Sequence, residues 1–155
     1  MNHESTPHLT HAVRDGVARG IAAVGMAGVG LIHLLDAPGK FTETPYMGWM
    51  YVGLILSSLG IAYAFVRSSS PKVWLAAAGL AASAMIGFIL TRTVGLPQAT
   101  GDIGNWSEPL GMASLFVEGS LVALSGAVLA ERRFGHRAVP VAMRTENQTQ
   151  MRVAA

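Results

Sequence analysis

Four long apolar runs dominate this 155-residue sequence and limit what it can fold into. They cover about residues 17–35, 47–66, 73–91 and 110–131, and each is close to the ~20 residues that a helix needs to cross a bilayer. Only 13% of the residues are charged, about half the fraction found in ordinary soluble domains. The sequence therefore predicts an all-α fold, a four-helix transmembrane bundle within residues 16–131. The lipid bilayer is its expected surroundings and partner.

The segments that flank this membrane domain are polar. Residues 1–15 contain His3, His8 and His11 without visible supporting partners, so a disordered cytoplasmic leader is expected rather than a metal site. Residues 132–155 predict a basic, disordered cytoplasmic tail. The first apolar run is longer than the apolar core of a signal peptide, which is about 7–15 residues, and it is expected to remain as the first span.

The positive residues predict the orientation in the membrane. With four spans, nine of the eleven Lys and Arg residues fall on one side, and only Lys40 and Arg92 fall on the other. Cytoplasmic loops carry an excess of positive residues in such proteins, so both termini are expected in the cytoplasm of a multi-pass cell (inner) membrane protein. The nine are Arg14, Arg19, Arg67, Lys72, Arg132, Arg133, Arg137, Arg144 and Arg152.

Several functional classes lack support in the sequence. It has no cysteine, which excludes disulfides, thiolate metal ligands and cysteine nucleophiles. No phosphate-binding loop, HExxH motif or nucleophile elbow is present, so an enzyme is not favoured and no catalytic residue can be assigned. The positive charge lies at helix ends and predicts topology rather than nucleic-acid binding. A homo-oligomer or a place in a larger membrane complex is compatible with these features.

The fourth span carries a carboxylate in its interior. Gly111, Ser114, Glu118 and Ser125 recur at helical spacing and form one stripe of small and polar side chains. A carboxylate inside a span is costly in lipid, so it normally faces other helices, has a partner and marks a candidate functional site. Glu118 is therefore the first site candidate.

Other candidates surround it on the side of the two outer loops. His33 and Asp36 share one helix face because they are three residues apart. Arg92 is predicted to pair with Glu118, which would offset much of the cost of burying the carboxylate. Tyr46 and Trp106 complete a predicted ligand-binding or proton-handling pocket in the outer half of the bundle.

Small residues predict the packing faces. In the first span, Ala22, Met26, Gly30 and His33 lie along one face. In the second span, Gly53, Ser57, Gly60 and Ala64 form a stripe that predicts close helix packing.

The polar cluster allows several interpretations. It could be a structural clip, in which Glu118 and Arg92 fix the register of two helices. It could bind a small hydrophobic ligand, or a quinone in a redox subunit, with His33 and Glu118 handling protons. It could serve proton-coupled transport in a dimer. A Cu(I) site of His33 with Met26, Met47, Met50 or Met112 is a weaker alternative, since methionines in a membrane chain usually fill space; no metal site and no cofactor is assigned.

A family resemblance is carried by three segments, GLIHLLDAPGKFTETPYMGW, ILTRTVGLP and NWSEPLGMASLFVEG. They resemble a family of small four-span inner-membrane proteins of actinobacteria, over roughly residues 20–131. That family has no settled activity, so the resemblance implies the fold and no chemistry. The layout is also similar to DoxX-like membrane proteins, some of which are linked to quinone-dependent oxidoreduction. This second likeness rests on span order and glycine placement, and it implies no site residue.

Overall fold

A computed structural model describes residues 5–135 of the chain, with side chains from Leu9 to Phe134. Within this part there are four long helices and no strand, and all four helices are long and apolar enough to cross a membrane. The predicted four-helix fold is confirmed, and the chain is a multi-pass membrane protein. In order, the elements are α1 (Ser5–Glu43), α2 (Pro45–Arg67), α3 (Pro71–Thr93), a short 3₁₀ turn (Thr100–Asp102) and α4 (Pro109–Gly135).

The first helix is longer than predicted at both ends. Residues 5–15, expected as a disordered leader, are helical, and Asp15 at the end of this segment forms an ion pair with Arg132 of α4 at 2.8 Å. At the other end the helix continues through Pro38, although proline removes one backbone donor. Lys40 contacts Asp102 at 3.3 Å and so anchors the turn that follows the proline. Residues 1–4 of the predicted leader and 136–155 of the predicted tail lie outside the described part.

The three connections between the four helices differ in length. Only Thr44 separates α1 from α2, three residues separate α2 from α3, and a long loop over residues 94–108 joins α3 to α4. Helices α2, α3 and α4 all begin with proline, which suits the first position of a helix because the missing N–H has no partner there anyway. The long loop and the α1–α2 connection share one end of the bundle, here called the loop end. The α2–α3 turn marks the opposite end, here called the terminal end.

The four helices form a ring in chain order, and one side of the ring is loose. Helix α1 packs on α2 and α4, and α3 packs on α4, whereas α2 and α3 make the fewest contacts of these neighbouring pairs. The apolar core lies toward the terminal end, where Phe65 and Trp74 meet edge to face at 4.6 Å. The loose side leaves space between α2 and α3 at the loop end.

The face of α1 that includes His33 is buried, and the predicted packing face of α2 is wrong. Ala22, Met26, Gly30 and His33 are all buried. In α2, by contrast, Gly53, Ser57 and Gly60 are exposed, and the buried residues are Met47, Gly48, Ser58 and Phe65. Helix α2 instead approaches α1 closely through the face that carries Ser58. A Cβ added at Gly30 of α1 would lie only 2.7 Å from the Ser58 hydroxyl oxygen. The small-residue stripe instead turns toward the loose side of the ring.

Charged residues fasten the terminal end. Arg132 donates to the Asp15 carboxylate at 2.8 Å and also to the Ser69 carbonyl, so α4 is tied to α1 and to the α2–α3 turn. Arg19 donates to the Phe65 and Val66 carbonyls at 2.8 and 2.9 Å, which satisfies free acceptors in the last turn of α2. These contacts give Arg19 and Arg132 a structural role at this end.

Candidate functional site

A cavity of about 370 Å³ lies in the loop-end half of the bundle. This volume falls within the range of about 300–1,000 Å³ that is usual for sites of small organic molecules. Its walls come from all four long helices and the long loop. The exposed residues Gly53, Ser57 and Ser83 contribute to these walls, so the cavity opens sideways between α2 and α3. Both helices are long and apolar enough to span a membrane, so an opening between them would face lipid.

One polar group on the cavity wall links α1 to α2. The Tyr51 hydroxyl donates to the Asp36 carboxylate at 3.0 Å, and the Tyr51 ring meets His33 edge to face at 4.8 Å. His33 and Asp36 share one face of α1 as predicted, and both line the cavity. The Nδ1 atom of His33 lies 2.9 Å from the Val29 carbonyl oxygen, which fixes the orientation of the ring.

A second polar group surrounds Arg92, which is 4% exposed at the end of α3. Its two terminal nitrogens contact Asp102 at 3.0 Å and Glu108 at 2.5 Å, and its guanidinium lies 4.7 Å from the centre of the Phe88 ring. Lys40 adds a contact to Asp102 at 3.3 Å. The long loop is therefore tied to both α1 and α3 through charges at the polar end of the cavity.

The backbone conformation of the long loop positions these two carboxylates next to Arg92. Gly95 (φ 74°) ends α3 with its N–H on the Leu90 carbonyl at 2.9 Å, and Gly104 (φ 80°) places its N–H on the Arg92 carbonyl at 2.9 Å. Both φ values lie in the left-handed region that glycine tolerates best. On the far side of the loop, the Tyr46 hydroxyl donates to the Pro97 carbonyl at 2.7 Å. The loop is thus held at both edges, with Asp102 directed inward.

Glu118 lies directly behind the cavity wall and is 1% exposed. Its Oε1 accepts a hydrogen bond from Ser114 at 2.6 Å and lies 4.0 Å from His33 Nε2, whereas its Oε2 has no hydrogen-bond partner among the described residues. Ser114 and His33 both line the cavity. The predicted stripe of Gly111, Ser114, Glu118 and Ser125 is buried along its whole length.

The predicted pair of Arg92 and Glu118 is wrong. Arg92 binds Asp102 and Glu108, and Glu118 contacts Ser114 and His33 instead. The reason is the position of each side chain along the long axis of the bundle. Glu108 immediately precedes α4 at the height of Arg92, whereas Glu118 lies ten residues further on, about 15 Å along the helix axis at 1.5 Å per residue.

The other predicted site residues divide into two groups. His33, Asp36 and Arg92 line the cavity, whereas Tyr46 and Trp106 do not. Tyr46 holds the loop, and Trp106 is 45% exposed and meets Phe88 edge to face at 6.1 Å. Sequence reasoning missed Lys40, Tyr51, Asp102 and Glu108. For Tyr51, its four-residue spacing from Met47 at the start of the second span was an available signal. For Glu108 the signal was its position next to the start of the fourth span, and for Asp102 there was none.

The charged groups on the cavity wall are unequal in number. Three carboxylates, Asp36, Asp102 and Glu108, accompany two permanent cations, Lys40 and Arg92. Within residues 5–135, no three His, Cys, Asp or Glu side chains come together in a way that could hold a metal ion. The arrangement is a largely apolar chamber with hydrogen-bonding groups at one end.

Comparison with known proteins gives no match. The chain matches no family model, no curated protein and no solved structure. The resemblance to the actinobacterial four-span family and to DoxX-like proteins stays a prediction.

Proposed function

We propose that this membrane protein binds a small amphiphilic molecule in the cavity between α2 and α3. The observation that carries this proposal is the cavity itself, which is open toward lipid on one side and closed by hydrogen-bonding groups at the loop end. A molecule dissolved in the bilayer could enter between Gly53 and Ser83 without crossing a polar barrier. Its polar head would then reach the side chains of His33, Tyr51 and Arg92.

The polar end offers hydrogen bonds to such a head group. Arg92 lines the cavity, and its Nε has no acceptor among the described residues although the side chain is 4% exposed. A buried donor without an acceptor is costly, and an acceptor atom of the ligand, or a water molecule that enters with it, removes this cost. The walls formed by Leu54, Leu80 and Phe88 are apolar and suit the hydrophobic part of the molecule.

Filling the cavity tests the proposal. A Cβ added at Gly87 of α3 meets no atom within 4 Å, so Gly87→Leu would place its side chain in the cavity without a clash at the backbone. We expect this variant to fold and to lose the bound molecule. The measurement is mass spectrometry of small molecules that purify with the protein from membranes, or that bind after incubation with a total lipid extract.

The matched control is Gly79→Leu on the same helix. Gly79 also has open space at its Cβ position, but it does not line the cavity. Both changes replace glycine by leucine in a helix, so their effects on helix stability are comparable. Retention of the same molecules by both variants, or the absence of any specific molecule from the unaltered protein, would contradict the proposal.

We further propose that both termini lie in the cytoplasm and that the protein resides in the cell (inner) membrane. The distribution of Lys and Arg supports this orientation, because the terminal end carries Arg14, Arg19, Arg67, Lys72 and Arg132. The absence of cysteine allows a direct test. We expect a membrane-impermeant maleimide to label Ser107→Cys in the long loop of intact cells, and to label Ser69→Cys in the α2–α3 turn only after the membrane is opened. The reverse pattern would overturn the orientation.

A further inference from the structure

We propose that the amphiphile is a hydrophobic cation, and that its entry displaces a proton held jointly by His33 and Glu118. This inference rests on the proposed function, because it names the chemical class that the cavity takes and couples its binding to pH.

The charge on the wall favours a cation. Arg92 is engaged by Asp102 and Glu108, and Lys40 is engaged by Asp102 and Glu43, both at 3.3 Å. Among the described residues, Asp36 has only a neutral direct partner, the Tyr51 hydroxyl, and Lys40, four residues further along α1, acts on it from more than 4.0 Å away. A carboxylate on an apolar wall attracts a positive head group more strongly than it would in water, because the surroundings screen charge poorly.

Aromatic rings complete this environment. Tyr51 and Phe88 line the cavity, one from α2 and one from α3, so a molecule in the cavity lies between two aromatic side chains. Ring faces attract cations, and the attraction increases when the cation leaves water. Phe88 already attracts one cation, the guanidinium of Arg92, at 4.7 Å. The rings give a hydrophobic cation a favourable environment that a hydrophobic anion would not share.

Two buried titratable side chains, His33 and Glu118, lie next to each other behind the wall. When His33 Nδ1 donates to the Val29 carbonyl, the lone pair of Nε2 is directed toward Glu118 Oε1, 4.0 Å away. A proton on Nε2 creates an imidazolium beside a carboxylate, and a proton on Glu118 creates a neutral carboxyl group. Without either proton, a bare carboxylate with one unpartnered oxygen would be buried inside the bundle, which is the costly state.

The cavity and the pair share two residues. Ser114 and His33 line the cavity and contact Glu118, so a cation in the cavity is separated from the carboxylate by one layer of side chains. That cation stabilises the unprotonated pair as the proton did, and therefore the two compete. A rise in pH removes the proton and strengthens cation binding. Ser114 of α4 and Tyr51 of α2 contact the pair, and Asp36 lies one turn from His33 on α1. Arg92 of α3 lies at the level of Glu108, about 15 Å along the bundle from Glu118, and is held by two carboxylates.

The test uses two molecules of the same shape that differ in charge. Phenyltrimethylammonium is the cation and tert-butylbenzene is its neutral counterpart. Their binding is measured by calorimetry on the full chain in phosphatidylcholine nanodiscs, with empty nanodiscs as the blank. Two buffers of different ionisation enthalpy are used, so that released protons are counted. We expect the cation to bind more tightly, to release close to one proton, and to gain up to about tenfold in affinity per pH unit while the pair is protonated.

Two variants test the charge on the cavity wall and the buried pair separately. Glu118→Gln is expected to abolish proton release and to weaken cation binding about tenfold, because it removes the displaced proton and the buried charge. Asp36→Asn is expected to weaken cation binding by a similar factor, about tenfold, while proton release at saturation is unchanged. Binding of tert-butylbenzene should be affected little by either change. Asp36→Asn keeps the argument testable if Glu118→Gln does not fold.

Three outcomes would overturn the inference. If tert-butylbenzene binds and phenyltrimethylammonium does not, the cavity is a ligand site but its ligand is not a cation. Cation binding without proton release would remove the role of His33 and Glu118. If neither molecule binds, the proposal of a cationic ligand is rejected. The proposed function is then tested separately, by the molecules that Gly87→Leu loses and Gly79→Leu retains.

Discussion

Arg92→Leu is expected to destabilise the protein by about 2–4 kcal/mol, because removal of one partner from a buried ion pair leaves the opposite charges without compensation. Here two carboxylates lose the same cation, since Arg92 contacts both Asp102 and Glu108. The lower part of that range allows for the partial exposure of these carboxylates, whose side chains are 22% and 27% exposed. The measurement is thermal unfolding in detergent, followed by the loss of helical circular dichroism.

The matched control for this prediction is Arg67→Leu at the end of α2. Arg67 is exposed and contacts the Tyr63 ring at 5.6 Å, and no ion pair involves it among the described residues. We expect its replacement to change stability by less than about 1 kcal/mol. Arg92→Lys should fall between the two, because lysine keeps the charge but cannot place two nitrogens on two separate carboxylates. Equal stability of Arg92→Leu and Arg67→Leu would show that the long loop does not depend on Arg92.

The fold could be predicted from the sequence because the bilayer imposes a single length scale. Four apolar runs near 20 residues leave few alternatives to four spanning helices. The helix ends were predicted less well, since α1 runs to Glu43 through a Pro-Gly pair that usually marks a loop. Tertiary contacts decide such boundaries, here the contact of Lys40 with Asp102, and a local pattern cannot show them.

Several residues of the candidate site were predicted correctly, but the partner of Arg92 was not. Periodicity placed His33 on the inner face of α1 and Glu118 on the inner face of α4, and both are buried there. Pairing depends on the height of each group along the bundle, which the length and path of the long loop determine. Asp102 and Glu108 lie on that loop, outside any periodic pattern, so charge alone suggested Glu118 as the partner of Arg92. A comparison of axial positions would have favoured Glu108, which is next to the start of α4.

The stripe on α2 illustrates a different limit. Small residues at helical spacing indicate a face where another backbone could approach, but they do not show that it does. In this bundle the close approach uses Gly30 and Ser58, and the stripe with Gly53 and Ser57 borders an open cavity. The same residue types therefore serve packing on one side of α2 and access on the other.

The second large effect is expected at Gly111 of α4, which lines the cavity beside Phe88. A Cβ at this position would lie 2.3 Å from a carbon of the Phe88 ring, a distance that forces the ring to move. Gly111→Leu should destabilise the protein by about 1–3 kcal/mol or more through overpacking. Gly126→Leu on the same helix has open space at its Cβ and should be neutral or slightly stabilising, by up to about 1 kcal/mol. Thermal unfolding of the two variants measures the difference.

The consequence of Gly111→Leu should reach Arg92, because the Phe88 ring that must move also carries the guanidinium at 4.7 Å. A double variant separates steric from electrostatic effects. Phe88→Ala removes the obstacle, so Phe88→Ala with Gly111→Leu should be more stable than the sum of the single changes by about 1 kcal/mol or more. If the two changes instead add independently, Phe88 does not transmit the strain, and the cost at Gly111 arises elsewhere in the α3–α4 contact. Coupling between them would show that the packing of α4 on α3 positions the charged end of the cavity.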